Sequence, residues 1–276
     1  MSFYGTCSYP DILFRYLRTE SPVPDTFRMH THDTCELYYF LSDHAIFHVE
    51  GNEYHLSYGD LMLMRPTEAH YIEIDPTQPY ERATLNFNPS LFAFVDPENR
   101  LMRPFFQREA GTCNHFRSTD FPDETWRFYL TQLLQPSDDK RLQILSALFP
   151  LLNELQKHEQ ICSPHSAPQT HTLTMQIIRH INQNLDQPLS LNSLCSRFYI
   201  SQSQLCRIFK RSTGASIGEY ITTKRLLKAQ QMLRAKTPAT KVLTECGFND
   251  YSAFYRAYHK YFGVSPSYTM KETGES

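Results

Sequence analysis

The spacing of apolar positions changes character along the chain. Between residues 27 and 88, short runs of β-branched, aromatic and other apolar residues recur: CELYYFL at 35–41, AIFHVE at 45–50 and DLMLM at 60–64. Glu50-Gly51-Asn52 and Tyr58-Gly59-Asp60 break them with turn chemistry. Many short strands at close spacing predict a small barrel or sandwich. From about residue 121 the period lengthens. Phe128, Leu130, Leu133 and Leu134, then Leu142, Ile144, Leu145, Leu148, Leu151, Leu152 and Leu155, recur at the spacing of a helix face. Pro136, followed by Ser137, Asp138 and Asp139, splits this stretch into two helices. Residues 159–172 hold two prolines and few aliphatics and read as a linker. Helical periodicity resumes near 173 and runs almost to the end, where KETGES is expected to fray.

The last segment repeats itself at an offset of 49. Leu194 aligns with Leu243, Tyr199 with Phe248, Leu205 with Phe254, Arg207 with Arg256, Phe209 with Tyr258, Gly214 with Gly263 and Ser216 with Ser265. Each copy predicts a short helix, a tight turn and a second helix ending in Gly-x-Ser. In the first copy a helix over about 191–197 meets a turn at Tyr199-Ile200, and Ser201 caps the next helix. Leu205, Ile208 and Phe209 form its buried stripe, so Ser203, Arg207 and Lys210 point away, flanked by Gln204, Cys206 and Arg211. In the second copy Val242, Leu243 and Cys246 supply the first helix, Gly247 permits a positive φ and Asp250 caps. Phe254, Ala257, Tyr258 and Tyr261 face inward. Ser252, Arg256 and His259 face outward, with Tyr251 and Tyr255 beside them. A helix over about 216–235 joins the copies. Ile217, Tyr220 and Ile221 lie on one side and Leu226, Ala229 and Leu233 nearly opposite, so each half can pack on a different copy, and Pro238 closes it. An outward guanidinium suits guanine edges, while Lys210 and Arg211 suit phosphates. A solvated basic face is the plain alternative, but the same Arg register in both copies argues for a reader of DNA.

Charge sharpens this division. Residues 1–160 hold 13 Lys+Arg against 23 Asp+Glu, and residues 161–276 hold 14 against 6, so the net charge of -2 hides an acidic front and a basic back. The basic part points to a polyanion partner. Seven scattered cysteines without a CxxC pair predict free thiols in a reducing compartment. No apolar run approaches the ~20 residues of a membrane span, and the N-terminus carries no signal-peptide pattern. The expectation is a cytoplasmic protein with no membrane partner.

Several motifs then resemble one family. Leu189-Ser-Leu-x-x-Leu194, Leu205-x-Arg-Ile-Phe-Lys210, Gly214, Glu219-Tyr220, Arg225-Leu226 and Ala229 fall in the first copy. Gly247-Phe248-x-Asp250, Phe254-x-Arg256 and Tyr261-Phe262-Gly263-x-Ser265-Pro266 fall in the second. Over about 188–272 the chain resembles the AraC/XylS family of bacterial transcription regulators. The resemblance implies promoter binding with one helix of each copy in successive major grooves, a homodimer using the helices of 121–157, contact with RNA polymerase, and more often activation than repression. It places base reading at Ser203, Cys206 and Arg207, and at Tyr251, Ser252, Tyr255 and Arg256. Cys206 bonds hydrogen weakly and suits a thymine methyl. Tyr258-His259 stands where the family usually has Phe-Lys, implying a weaker phosphate grip by the second helix.

Upstream, Phe27-Arg-Met-His-Thr-His32, Glu36, Gly59-Asp60, Pro66 and His70 resemble the cupin barrel over about 25–90. The expected fold class is therefore α+β: a cupin-like sensing domain with dimerisation helices over 1–158, the linker 159–172, and an all-α tandem helix-turn-helix domain over 173–276. If 27–32 is a strand, Arg28, His30 and His32 share a face. Glu36 and Tyr38 share a face of the next strand, and His70 follows in another. Three readings of Arg28, His30, His32, Glu36, Tyr38 and His70 stand open. They form a small-molecule site, for which the family resemblance implies a sugar. Alternatively His30, His32, Glu36 and His70 hold a divalent metal, with no other cofactor expected. Or the histidines are structural, hydrogen-bonded within the core. The chain is expected to be a regulator rather than an enzyme. The alternatives are a metal-dependent cupin enzyme and a constitutive DNA binder whose barrel senses nothing.

Overall fold

A computed structural model describes residues 3–23, 29–120, 125–157 and 173–272. Arg28, Cys162 and the expected linker 159–172 lie outside the described residues. The chain divides into two compact units, residues 1–170 and 171–276.

The first unit is built on two antiparallel sheets. Its strands are β1 (Phe3–Ser8), β2 (Ile12–Thr19), β3 (Cys35–Phe40), β4 (His44–Val49), β5 (Asn52–Ser57), β6 (Leu61–Met64), β7 (His70–Glu73), β8 (Tyr80–Phe87) and β9 (His115–Phe116). Six strands form one sheet in the order β1-β2-β8-β3-β6-β9, and three form the other in the order β5-β4-β7. Four short helical segments follow β8 among the described residues, one of them helix α1 (Arg103–Phe106); α2 (Thr125–Leu134) and α3 (Lys140–Lys157) close the described part of the unit.

The large sheet is covered on both faces. Leu37, Tyr39, Leu61, Leu63, Leu85 and Phe87 meet Leu130, Leu133, Ile144, Leu148, Leu151, Leu152 and Leu155 of α2 and α3. On the opposite face, Tyr38, Phe40, Met62, Met64 and Tyr80 meet Phe47, Val49, Tyr54, Leu56 and Ile72 of the small sheet. Each such side chain contributes about 1.5–3 kcal/mol on full burial. Two expectations change here. The sheet begins at Phe3, well before residue 27. Residues 29–32 are not a strand, for only His30 pairs, as an isolated bridge to His70. The leucines of α2 and α3 mostly cover their own sheet, while Phe128, Leu142 and Phe149 remain exposed.

The second unit is helical: α4 (Leu173–Gln183), α5 (Leu191–Phe198), α6 (Gln202–Thr213), α7 (Ile217–Arg234), α8 (Ala239–Glu245), α9 (Tyr251–Phe262) and α10 (Pro266–Glu272). Local chemistry sets its boundaries. Ser201 Oγ accepts from Gln204 N and opens α6, and Asp250 Oδ1 accepts from Ala253 N and opens α9. Gly214 and Gly263 close these helices in left-handed conformations, at φ 72° and 73°.

The repeat is not uniform. The recognition helices and their caps align at offset 49. The preceding helices align at 48: cap position Ser190 matches Pro238, left-handed Tyr199 matches Gly247, and the Ile200 N to Cys195 O bond matches Phe248 N to Leu243 O. The second turn thus carries one more residue before its cap, and the fully buried counterpart of Leu194 is Val242 rather than Leu243. Helix α7 joins the copies as its two-sided pattern predicts. Its first half meets the first copy through Tyr220, whose ring lies edge-on to Phe209. In its second half Leu226, Ala229 and Leu233 enter the core formed with Val242, Cys246, Phe254 and Tyr258. Helix α7 ends at Arg234, four residues before Pro238, which instead caps α8. Tyr261 is exposed rather than inward, and Phe262 takes its place against the core.

Candidate functional site

Strand β3 presents Glu36, Tyr38 and Phe40 to the space between the sheets, because alternate residues share a face. Register then sets Asn86 of β8 opposite Glu36, and Thr84 opposite Tyr38. His70 begins β7 in the small sheet, and the paired backbone bonds His30 N to His70 O (3.0 Å) and His70 N to His30 O (3.1 Å) bring His30 alongside. The bridge therefore brings His30 beside His70 without a strand at 29–32. His30, His32, Glu36 and His70 each offer a ligand atom, all within 4.8 Å of one another. Glu36 and His70 are buried, His32 is half-buried, and His30 is exposed on the solvent side of the cluster.

Hydrogen bonds fix the roles of the rings. His70 Nδ1 donates to Glu68 O at 2.8 Å, and His32 Nδ1 donates to Thr34 O at 3.1 Å. Both Nε2 atoms therefore turn toward Glu36. His32 Nε2 hydrogen-bonds Glu36 Oε2. His70 Nε2 is buried, 3.4 Å from the same oxygen, and makes no closer polar contact among the described residues. Asn86 Nδ2 donates to Glu36 Oε2 at 3.3 Å. Burial penalises charge on Glu36, but His32 and then His70 outweigh it and hold the carboxyl well below its usual range. Burial likewise opposes charge on His32, yet Glu36 overcomes it and raises the imidazole pKa.

This donor set fits a divalent transition metal. Three imidazoles and a carboxylate suit Fe, Mn, Zn or Ni, and Nδ1 donation to backbone carbonyls is the usual support of a metal-bound histidine. The same groups also suit a polyhydroxylated ligand, whose hydroxyls both donate and accept. Tyr38 is separate from the cluster. It is buried, with its hydroxyl bonded to the Tyr80 hydroxyl, and Arg82 lies over its ring. Asn86 and the backbone of Glu68 were not foreseen as site residues. A lone Asn between Leu85 and Phe87, on the strand face opposite both, is the signal that marks Asn86.

Glu68 supports the site from behind. Its carboxylate takes a bidentate pair from Arg108, at 2.6 and 2.7 Å, together with Gly111 N, Arg65 N and Asn114 Nδ2. Thr67 before it adopts φ 72°, a conformation more natural to glycine. Glu68, which follows this turn, thus forms a buried ion pair that anchors its own carbonyl, the one holding His70.

The helical unit presents two outward faces. Ser203, Gln204, Cys206, Arg207, Lys210 and Arg211 of α6 are all exposed, as are Tyr251, Ser252, Tyr255, Arg256 and His259 of α9. Their helices rest on buried Leu205 and Phe209, and on buried Phe254 and Tyr258. A junction ties the two copies. Arg225 Nε donates to Leu185 O at 2.8 Å and its Nη2 to Gln187 O at 2.7 Å, while Lys228 Nζ donates to Glu245 O at 2.7 Å.

A model of an AraC-like ligand-binding domain matches residues 15–163, and a model of a helix-turn-helix domain matches residues 194–272. The chain belongs to the AraC family of transcriptional regulators. The Msm operon regulatory protein of Streptococcus mutans is 23% identical over 242 residues, covering 87% of this chain and 85% of that protein. The transcriptional activator RhaR of Salmonella schwarzengrund is 25% identical over 255 residues, covering 88% and 86%. The solved structure of ToxT from Vibrio cholerae aligns with 94% of this chain and 98% of its own, at 10% identity and a TM-score of 0.38. The family gives this chain a ligand-binding unit and a DNA-binding unit. Among the described residues no helix is long and apolar enough to cross a membrane. The described cysteines are free thiols, Cys206 being exposed on α6.

Proposed function

We propose that this AraC-family chain is a sugar-responsive activator of carbohydrate-use genes, and not an enzyme. It binds promoter DNA as a homodimer in the cytoplasm and acts through RNA polymerase. The observation that carries the DNA role is the exposed Arg at one register of both recognition helices, Arg207 and Arg256. Related regulators, one of them named a transcriptional activator, support the direction of control. A sugar would bind between the sheets near His30, His32, Glu36, His70 and Asn86, with Tyr38 on the same face of β3 as Glu36. It shifts DNA binding only by its unequal affinity for two states of the protein. Exposed Phe128, Leu142 and Phe149 on α2 and α3 supply a surface for the second protomer.

The test is binding of the full-length protein to its own upstream DNA, at fixed salt, across a panel of sugars. A sharp footprint whose affinity changes with one sugar supports reader and sensor together. A footprint indifferent to every sugar favours a constitutive binder. Sedimentation that shows monomers at micromolar concentration, with and without DNA, overturns the dimer.

A second reading is favoured by His70 Nε2, a buried nitrogen with no hydrogen bond among the described residues. A divalent metal at His30, His32, Glu36 and His70 would supply a positive centre for hydroxyl oxygens of the effector. Calorimetric titration of chelator-treated protein with Zn2+, Mn2+ and Ni2+ tests it. Binding abolished by His70→Ala supports the metal, and no heat from any ion removes it. Turnover of candidate substrates by the metal-loaded protein, without specific DNA binding, would instead favour a cupin enzyme.

A further inference from the structure

The two recognition helices have the same frame but different chemistry. From α6 to α9, at offset 49, Ser203 remains serine at 252 and Arg207 remains arginine at 256, while Arg211 becomes Lys260. Three exposed positions that change class lie in one i, i+4, i+8 row. Gln202, Cys206 and Lys210 become Tyr251, Tyr255 and His259. Both tyrosines and the histidine are exposed. Their rings form a ladder: Tyr251 and Tyr255 have centroids 6.2 Å apart, and Tyr255 and His259 lie 6.2 Å apart with planes only 16° from parallel. The first helix thus offers a polar and cationic row beside its arginine, and the second an aromatic one.

An aromatic row facing water exposes apolar surface to no advantage. In a major groove its apolar counterpart is the 5-methyl group of thymine, which projects from the base edge and is absent from adenine, guanine and unmodified cytosine. The ladder also costs little to order. Each ring has two rotatable bonds, and its neighbours already restrict them. We infer that α9 reads thymine 5-methyl groups through Tyr251 and Tyr255, while Arg256 beside them supplies the polar contact. The two half-sites are then recognised by different means, the α6 half mainly by charge and hydrogen bonds, with one methyl contact open to Cys206, and the α9 half largely by methyl groups. This inference rests on the proposed DNA-reading role.

Deoxyuridine isolates the methyl group, because it leaves every hydrogen-bonding atom of thymine in place. Selection of duplexes from a random library by the full-length protein gives its preferred site. Footprints of Arg207→Ala and Arg256→Ala then assign the halves to α6 and α9. Each thymine is next replaced singly by deoxyuridine. The expected result is a loss of about fourfold in affinity per contacted methyl in the α9 half, the size of one buried methylene-scale contact, with smaller effects in the α6 half. Tyr255→Phe should keep the sensitivity, and Tyr255→Ser should lower affinity for the thymine duplex and erase its loss on replacement. Both positions are exposed, and unchanged circular dichroism checks the fold. The inference is overturned by a preferred α9 half without thymine, by equal affinity for all deoxyuridine duplexes, or by sensitivity that survives replacement of both tyrosines by serine. Failure to select any preferred duplex overturns the DNA-reading role itself, and this inference with it.

Discussion

Gly247→Ala tests whether the junction between the helix-turn-helix copies is as tight as it is drawn. Gly247 sits at φ 68°, where an L-residue costs about 1–2 kcal/mol. An added Cβ would also fall inside van der Waals contact of the Leu185 carbonyl oxygen and 2.7 Å from Arg225 Nη2. Neither neighbour yields easily. The carbonyl is backbone, and Arg225 is tied to Leu185 O and Gln187 O. Overpacking of this kind adds about 1–3 kcal/mol. Gly263→Ala is the matched control. It has nearly the same backbone, φ 73°, but nothing within 4 Å of an added Cβ. It should therefore lose only the conformational part.

The expected difference between the variants is ~1–3 kcal/mol. Urea unfolding of the full chain measures it by far-UV circular dichroism, which follows both units. Gly247→Ala should also weaken binding to a two-groove site more than to either half alone, because the junction sets the distance between α6 and α9. Equal destabilisation by the two substitutions would refute the close packing at Leu185.

Other expectations can be checked with standard assays. Arg207→Ala and Arg256→Ala should each cost ~1–3 kcal/mol in DNA binding and relax preference at one base position, measured on duplexes mutated base by base. Lys210→Ala should weaken all duplexes alike and reduce the salt slope by about one ion. Glu68→Gln should destabilise the first unit by about 3–5 kcal/mol, since Arg108 is left buried without its carboxylate; chemical denaturation reads this, and a loss below ~1 kcal/mol would contradict the ion pair's role. Burial pushes the His48 pKa from 6.5 down to about 4, outweighing the opposing pull of the Glu53 carboxylate. The unfolded chain then binds a proton that the folded chain refuses, so stability falls as pH drops from about 6.5 to about 4, by at most ~3 kcal/mol. His48→Phe should flatten that part of the stability profile.

The helical unit was legible because its signals are local. A capping Ser201 or Asp250, a glycine at a helix end and an i, i+3, i+4 stripe each act within one or two turns. What the sequence concealed there was a single residue. The motif aligned over its whole length at 49, and only the backbone bonds of the turns show the first helices in register at 48. Chemical similarity between Leu194 and Leu243 hid the shift, because a leucine beside the buried position looks like a leucine in it. Tyr261 misled for the same reason. An aromatic residue near the end of an apolar stripe can stand outside it when the next residue, Phe262, fills the core.

The first unit was harder to read because its determinants are distant in sequence. Strand β3 is buried at every position, so alternation of polar and apolar residues, the usual mark of a half-buried strand, is weak. The two sides differ only in what covers them: leucines of α2 and α3 on one, aromatics and methionines of the small sheet on the other. Glu36 breaks that apolar run, and a buried carboxylate is costly unless charges or hydrogen bonds compensate it. Its presence in β3 therefore required partners, and the histidine pattern contains two of them, His32 and His70. It could not name Asn86, 50 residues away, or the Glu68 carbonyl that orients His70. Those depend on strand register and on a buried ion pair closed by Arg108, 40 residues beyond Glu68. The histidines make the site chemically capable. The register of β3 on β8 and the Glu68–Arg108 pair make it a fixed geometry, so a substitution that spares every histidine, such as Glu68→Gln, should still disorder the site.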